Sequence, residues 1–176
     1  TSDKDNTDKV VRYIDEVKRM GIELSPPDVN DSYLEFSAIT KENREIILFG
    51  LGAIKGVGGA AVESIIQTRE EDGAFTSLEN FVNRIDPSKV NKRFIESSIK
   101  SGGFDRFGYS RKALLDQIEL IVETAKKASD AKKNAVGSLF GDDEEITSVG
   151  LTLSNSEEYD LIRTSSGWIP WKNRWT

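Results

Sequence analysis

At 176 residues the chain is long enough for one substantial domain or two small ones, and about 70% of the unfolded surface is buried at that size without any covalent staple. It carries 24 Lys and Arg against 30 Asp and Glu, a formal charge of −6, with 31% charged and 37% hydrophobic residues. It has no Cys and no His, which excludes a disulfide framework, a zinc finger, a thiolate nucleophile and a Ser-His-Asp triad. No apolar run approaches the ~18 residues of a membrane span and no signal peptide opens the chain, so the expected setting is cytoplasmic, away from any membrane.

In chain order, Thr7 caps a first helix whose apolar repeat is Val10, Ile14 and Val17; Gly21 ends it and Pro26-Pro27 forbids a restart. Tyr33–Ile39 and Arg44–Gly50 are rich in β-branched and aromatic residues, and the four residues between them suit a hairpin loop. From Gly50 the period turns helical. Ala60–Arg69 places Val62, Ile65 and Ile66 on one face. Thr76 with Glu79 reads as a capping box for a short helix through Phe81 and Val82. Asp86-Pro87-Ser88 breaks that helix and caps the next, with its stripe of Val90, Phe94, Ile95 and Ile99, and Gly102-Gly103 stops it. Ser110 caps the longest helix, which carries Leu114, Ile118, Ile121, Val122 and Ala125 inward and frays through the Lys-rich stretch after residue 125. The expected class is mainly α with one small β-hairpin.

Charge is uneven. Between residues 84 and 112 the chain carries eight basic residues against three acidic ones, whereas residues 142–176 are acidic. A basic segment in an acidic chain is either a polyanion surface or a solvated set of helix faces.

Two Gly-rich turns join helices. The first, Ile54-Lys55-Gly56-Val57-Gly58-Gly59, follows a strand and invites a dinucleotide reading, but no second parallel strand with a terminal acid follows. The other reading is a helix–hairpin–helix. Gly56 and Gly58 then allow a sharp turn and close approach to a phosphate, Val57 plugs the hairpin into the core, and the bare N–H groups at Gly58 and Gly59 face an anion along the helix dipole with help from Lys55. Such a turn grips phosphate and sugar, which makes binding sequence-independent and salt-sensitive; a tight turn that binds nothing is the competing reading. The second turn, around Gly102, Gly103, Arg106, Arg111 and Lys112, is a degenerate version with Phe104 and Phe107 as core plugs. A tandem pair of such hairpins reaches both strands of one duplex.

The blocks YIDEVKRMGIELSPPDVNDS, REIILFGLGAIKGVGGAAVESII, DGAFTSLENFVNRID, VNKRFIESSIKSGGFDRFGYSRKALL and GSLFG, running from about Tyr13 to Phe140, resemble consecutive blocks of the α subunits of bacterial DNA polymerase III, the C-family replicative polymerases. The resemblance implies an internal piece of a longer polymerase. Residues 1–32 would end the fingers region, 33–134 would be a β-hairpin with a tandem helix–hairpin–helix DNA-binding module, 135–160 an acidic flexible linker, and 161–176 an atypical tail outside the family pattern. It further implies a parent that transfers nucleotides with Mg2+ during DNA replication, while this piece lacks the palm aspartates and is expected to be non-catalytic and to need no cofactor. The implied partners are double-stranded DNA and, through Leu139 and Phe140, the sliding clamp or another replisome subunit. Val136 stands where the clamp motif has Gln, so docking of Leu139 and Phe140 back onto the domain is the alternative there.

Overall fold

The computed structural model describes residues 12, 14–17, 19–40, 43–134 and 148–154, together with the backbones of 41, 135–137, 161–164 and 167–170. The expected hairpin forms from β2 (Ser37–Lys41) and β3 (Arg44–Leu48), paired antiparallel from Ser37↔Leu48 to Lys41↔Arg44. Asn43 takes a left-handed φ of 63° in the loop, a conformation that Asn tolerates better than most side chains. A third strand, β1 (Glu23–Ser25), pairs parallel to β3 on its other edge. It follows Gly21 after a single residue and is too short for a periodic signal. Residues 14–17 are helical and bring Ile14 into the core, while Thr7 and Val10 lie outside the described residues.

The segment 33–36 is not strand. It lies across the 3-10 turn Leu51–Ala53, with Leu51 N–H donating to the Tyr33 carbonyl (2.8 Å) and Gly52 N–H to that of Leu34 (2.9 Å). A Cβ on Gly50 would stand 2.6 Å from the Glu35 backbone, and one on Gly52 would stand 2.7 Å from the Leu34 oxygen. These glycines allow two backbones to touch, which accounts for the Gly-x-Gly after β3 without any nucleotide.

The helices follow as α1 (Gly59–Asp72), α2 (Leu78–Arg84), α3 (Lys92–Ser101), α4 (Arg111–Asp116) and α5 (Ile118–Gly137). Two caps shift from their predicted places. Ser77, not Thr76, caps α2 by accepting from Asn80 N–H (3.0 Å), and the Asn80 side chain reaches back to Thr76 N–H (3.3 Å). Asn91 caps α3 by accepting from Phe94 N–H (3.0 Å), because Asp86 is already occupied with the N–H and hydroxyl of Ser88 in a local turn. That turn holds the Asp86 carboxyl below its ordinary pKa. Ser110 caps α4 as expected. The predicted long helix breaks at Gln117, and its second half stays helical through Gly137, with Ala128 buried where fraying was expected.

One core joins these pieces. Val62 and Ile65 of α1, Phe81 and Val82 of α2, Phe94 and Ile99 of α3, and Ile121 of α5 are all essentially sealed from solvent. Phe75, Phe81 and Phe104 meet edge to face at 5.0 and 4.9 Å, the arrangement favoured by the aromatic quadrupole. Val29, fully buried, and Leu24, packed against the same core, tie the stretch 22–32 to it. Within the stretch read as a linker, residues 148–154 are also packed, with Leu151 and Leu153 against the core; burial of those two leucines outweighs the polar composition around them. Leu161–Thr164 and Gly167–Pro170 form an antiparallel pair, β4 and β5, in the tail.

The loop at residues 28–32 ties the layers together. Val29 N–H donates to the Gly103 carbonyl (3.1 Å), and the Val29 carbonyl accepts from buried Arg69 of α1 (2.9 Å). Asn30 takes both backbone groups of Phe75 with its side-chain amide, each at 2.8 Å. Asn30→Ala removes two hydrogen bonds worth about 1 kcal/mol each. Urea unfolding will show a loss of about 2 kcal/mol at unchanged m-value.

Candidate nucleic-acid interface

At the first turn, Gly56 has φ +92° and Val57 N–H closes the bend on the Ile54 carbonyl (3.1 Å). The half-buried Val57 side chain packs against the core, anchoring the turn from within. Gly58 is the N-cap of α1 in extended geometry, with no side-chain cap and no acid in the first turn. Gly58, Gly59 and Ala60 are exposed, and their N–H groups have no hydrogen-bond acceptor among the described residues. An added Cβ on Gly58 would meet nothing within 4 Å. Three outward donors at the positive end of a 14-residue helix favour an anion. Lys55 is exposed beside them.

Arg93, which sequence reasoning did not place in the site, joins this turn from α3. A Cβ on Gly56 would lie 3.0 Å from Arg93 Nε and 3.1 Å from Ser97 Oγ. Among the described residues Arg93 forms no ion pair. The signal that could have found it is its position two residues after the Asn91 cap, on the open first turn of α3.

The second turn is built differently. Gly102 N–H is taken by the carbonyls of Ser98 and Ile99 (3.0 and 3.1 Å), and Gly103 N–H by that of Ser98 (2.7 Å). Both glycines are buried, and the Gly103 carbonyl is occupied by Val29. This is a helix C-cap with Gly102 left-handed at φ +98°, so its peptide nitrogens face inward and cradle nothing. Arg111 is buried as well, paired with Asp105 and donating to the Lys100 carbonyl. Arg106 bridges Asp28 (2.9 Å) and Asp31 (2.6 Å). Partial burial works against the Arg106 charge, but the two carboxylates outweigh it and hold the guanidinium above its ordinary pKa. Lys112 pairs with Asp116 one helical turn on (2.5 Å). At the expected second cradle, the amides of Gly102 and Gly103 are therefore closed to an anion, and Arg106, Arg111 and Lys112 are each engaged with a carboxylate.

The basic segment is largely neutralised in the same way. Arg84 lies 3.8 Å from Asp72, Lys92 pairs with Glu119 and Lys100 with Glu96. Among the described residues only Lys89 and Arg93 of that segment lack an ion pair. No group of His, Cys, Asp or Glu among the described residues is arranged to hold a metal ion, and no helix among them is long and apolar enough to cross a membrane. Leu139 and Phe140, the expected clamp contacts, lie outside the described residues.

A bend closed on its own helix, followed by an uncapped helix start, is a helix–hairpin–helix arrangement. The chain belongs to the helix-hairpin-helix motif family, whose pattern matches residues 21–114. It is similar to DNA polymerase III subunit alpha of Campylobacter jejuni, 44% identical over 163 residues covering 92% of the chain. It is likewise similar to the proteins of that name from Pasteurella multocida, 45% identical over 145 residues and 80% of the chain, and Xylella fastidiosa, 34% identical over 168 residues and 95% of the chain. The chain spans 14% of the length of the Campylobacter and Xylella relatives and 12% of the Pasteurella one. The resemblance read from the sequence blocks holds over this span.

The two turns separate by mutation. Gly102→Ala places a side chain at φ +98° against Arg111 and Asp105, and the left-handed backbone alone costs about 1–2 kcal/mol. Thermal unfolding will show that loss or more, while the backbone amide resonances of Gly58, Gly59 and Ala60 stay as in the unmodified chain.

Proposed function

We propose that this chain binds the sugar-phosphate backbone of double-stranded DNA without sequence preference, as a non-catalytic module of a replicative DNA-directed DNA polymerase whose Mg2+-dependent chemistry lies elsewhere in the longer protein. The observation that carries the reading is the trio of exposed N–H groups at Gly58, Gly59 and Ala60, without an acceptor among the described residues, after a turn that carries Lys55 and that Arg93 approaches at Gly56. Such amides hold a phosphate by hydrogen bonds along the helix dipole, and Lys55 and Arg93, which form no ion pair among the described residues, add charge to the same turn. They offer nothing shaped to a base edge, so contact of this kind sets position rather than sequence. Support also comes from the family match and from the printed name of the relatives, each a DNA polymerase III subunit alpha. With the second turn closed, the grip is a single cradle on one backbone rail rather than a tandem pair.

The electrostatic part is read from a salt titration. For a random-sequence duplex, log K falls linearly with log salt by roughly 0.9 per neutralised phosphate. Lys55→Ala and Arg93→Ala each flatten that slope by about one unit or less, whereas Arg106→Ala lowers stability and leaves the slope alone. A slope near zero in the parent chain would contradict the reading.

Gly58→Asp isolates the amides. Gly58 already has N-cap geometry (φ −89°, ψ 143°) and open space for a side chain. Asp there gains a few tenths of a kcal/mol of stability by capping α1. The same carboxylate covers the amides and repels phosphate, so duplex affinity at low salt drops more than about tenfold in a protein that melts no earlier than the parent.

A further inference from the structure

The segment 148–154, Ser-Val-Gly-Leu-Thr-Leu-Ser, is held in the manner of a bound peptide. Asn83 of α2 accepts from Val149 N–H (2.8 Å) and donates to its carbonyl (3.0 Å). Five residues on, Gln117 at the α4–α5 junction accepts from Ser154 N–H (3.0 Å) and donates to its carbonyl (2.8 Å). Each side-chain amide thus replaces the backbone of a neighbouring strand. Both are set in place by their own helices, Asn83 Nδ2 on the Glu79 carbonyl and Gln117 Nε2 on the Ala113 carbonyl, each at 2.9 Å. Between the two grips burial alternates residue by residue, with Val149, Leu151 and Leu153 turned in and Gly150 and Thr152 out. That is the period of an extended strand.

We propose that the groove between α2 and the α4–α5 junction is a peptide-binding site, with the chain's own 148–154 as resident occupant and an extended segment carrying Leu-x-Leu as its class of partner. The two amides bind backbone and accept any extended sequence, so selectivity falls to the apolar anchors, as in other modes of strand addition. Preset amides lose little freedom on binding, which lowers the cost of taking an extended segment. Residues 138–147 join the resident segment to α5, so its docking is intramolecular and carries the concentration advantage of a covalent link. A partner segment must therefore outcompete the resident copy or bind after its release.

The test uses the full chain carrying Leu151→Asp and Leu153→Asp, with the peptide SVGLTLS added in trans. In the released chain the side-chain amide resonances of Asn83 and Gln117 move from their positions in the unmodified chain. The peptide restores them saturably, with a Kd at least about tenfold below that for the unmodified chain, where the tethered copy competes. A peptide with both leucines replaced by Asp fails to restore them, and one with Thr152 replaced by Arg performs as well as the original. If the released chain loses its helical circular dichroism, millimolar peptide carrying a spin label is added to the unmodified chain instead, and broadening centred on the side-chain amides of Asn83 and Gln117 is expected as it exchanges with the resident copy. Resonances that ignore the peptide in the folded released chain, or in the unmodified chain at that concentration, overturn the proposal. Equal binding by the Asp-substituted peptide also overturns it.

Discussion

Val29 is the residue on which the arrangement rests. Its N–H is bound to the Gly103 carbonyl and its carbonyl to the Arg69 guanidinium, and its side chain is fully buried. Three parts of the chain far apart in sequence thus meet at one residue: the loop after β1, helix α1 and the turn after α3. The cost of burying Arg69 is visible in its pKa, which desolvation lowers from the ordinary value against the opposing fields of Tyr33, Glu70 and Asp31. The guanidinium is kept charged in place by that carbonyl and by the Tyr33 ring 4.8 Å beneath it. A buried cation held this way is strongly destabilising to lose one partner of, so the loop, α1 and the second turn fold as one body.

This joint explains why two turns of similar composition are built differently. At the second turn, demand for the Gly103 carbonyl by Val29 and for space by Arg111 draws the backbone inward, and its N–H groups finish α3. At the first, the Val57 side chain packs inward and Arg93 and Ser97 approach Gly56, while the N–H groups of Gly58, Gly59 and Ala60 are exposed and find no acceptor among the described residues. A further device recurs through the fold. Asn30 on Phe75, Asn83 on Val149 and Gln117 on Ser154 each satisfy both backbone groups of one residue. In a domain with a sheet of three short strands, these amides hold extended segments that have no neighbouring strand to pair with.

Much of the fold was legible because its signals are local. The Ser110 cap, the Gly102 stop and the apolar stripe of Phe94, Ile95 and Ile99 depend only on neighbours in sequence, and each stands where the residues predict. The caps that moved did so by competition. Asp86 had a nearer donor in Ser88, which left Asn91 to cap α3, and Ser77 was better placed than Thr76. The site was half legible. The glycines at 56–59 announce an open turn, but no pattern says that Asp28, Asp31 and Asp105 consume Arg106 and Arg111, because those partners meet only after folding. Arg93 was missed for the converse reason, since its role comes from the packing of α3 beneath Gly56. The docked 148–154 segment escaped notice because two leucines among Ser, Thr and Gly carry little hydrophobic signal, and its grips lie on helices far upstream.

The central claim is that one glycine turn presents open amides to a phosphate and the other does not. It is tested most directly by following backbone amide resonances while a random-sequence DNA duplex is added at low salt. The amides of Gly58, Gly59 and Ala60 should shift progressively and saturate, while those of Gly102 and Gly103 stay in place. Saturating shifts at Gly102 and Gly103, or a duplex that binds without moving Gly58 to Ala60, would contradict the account.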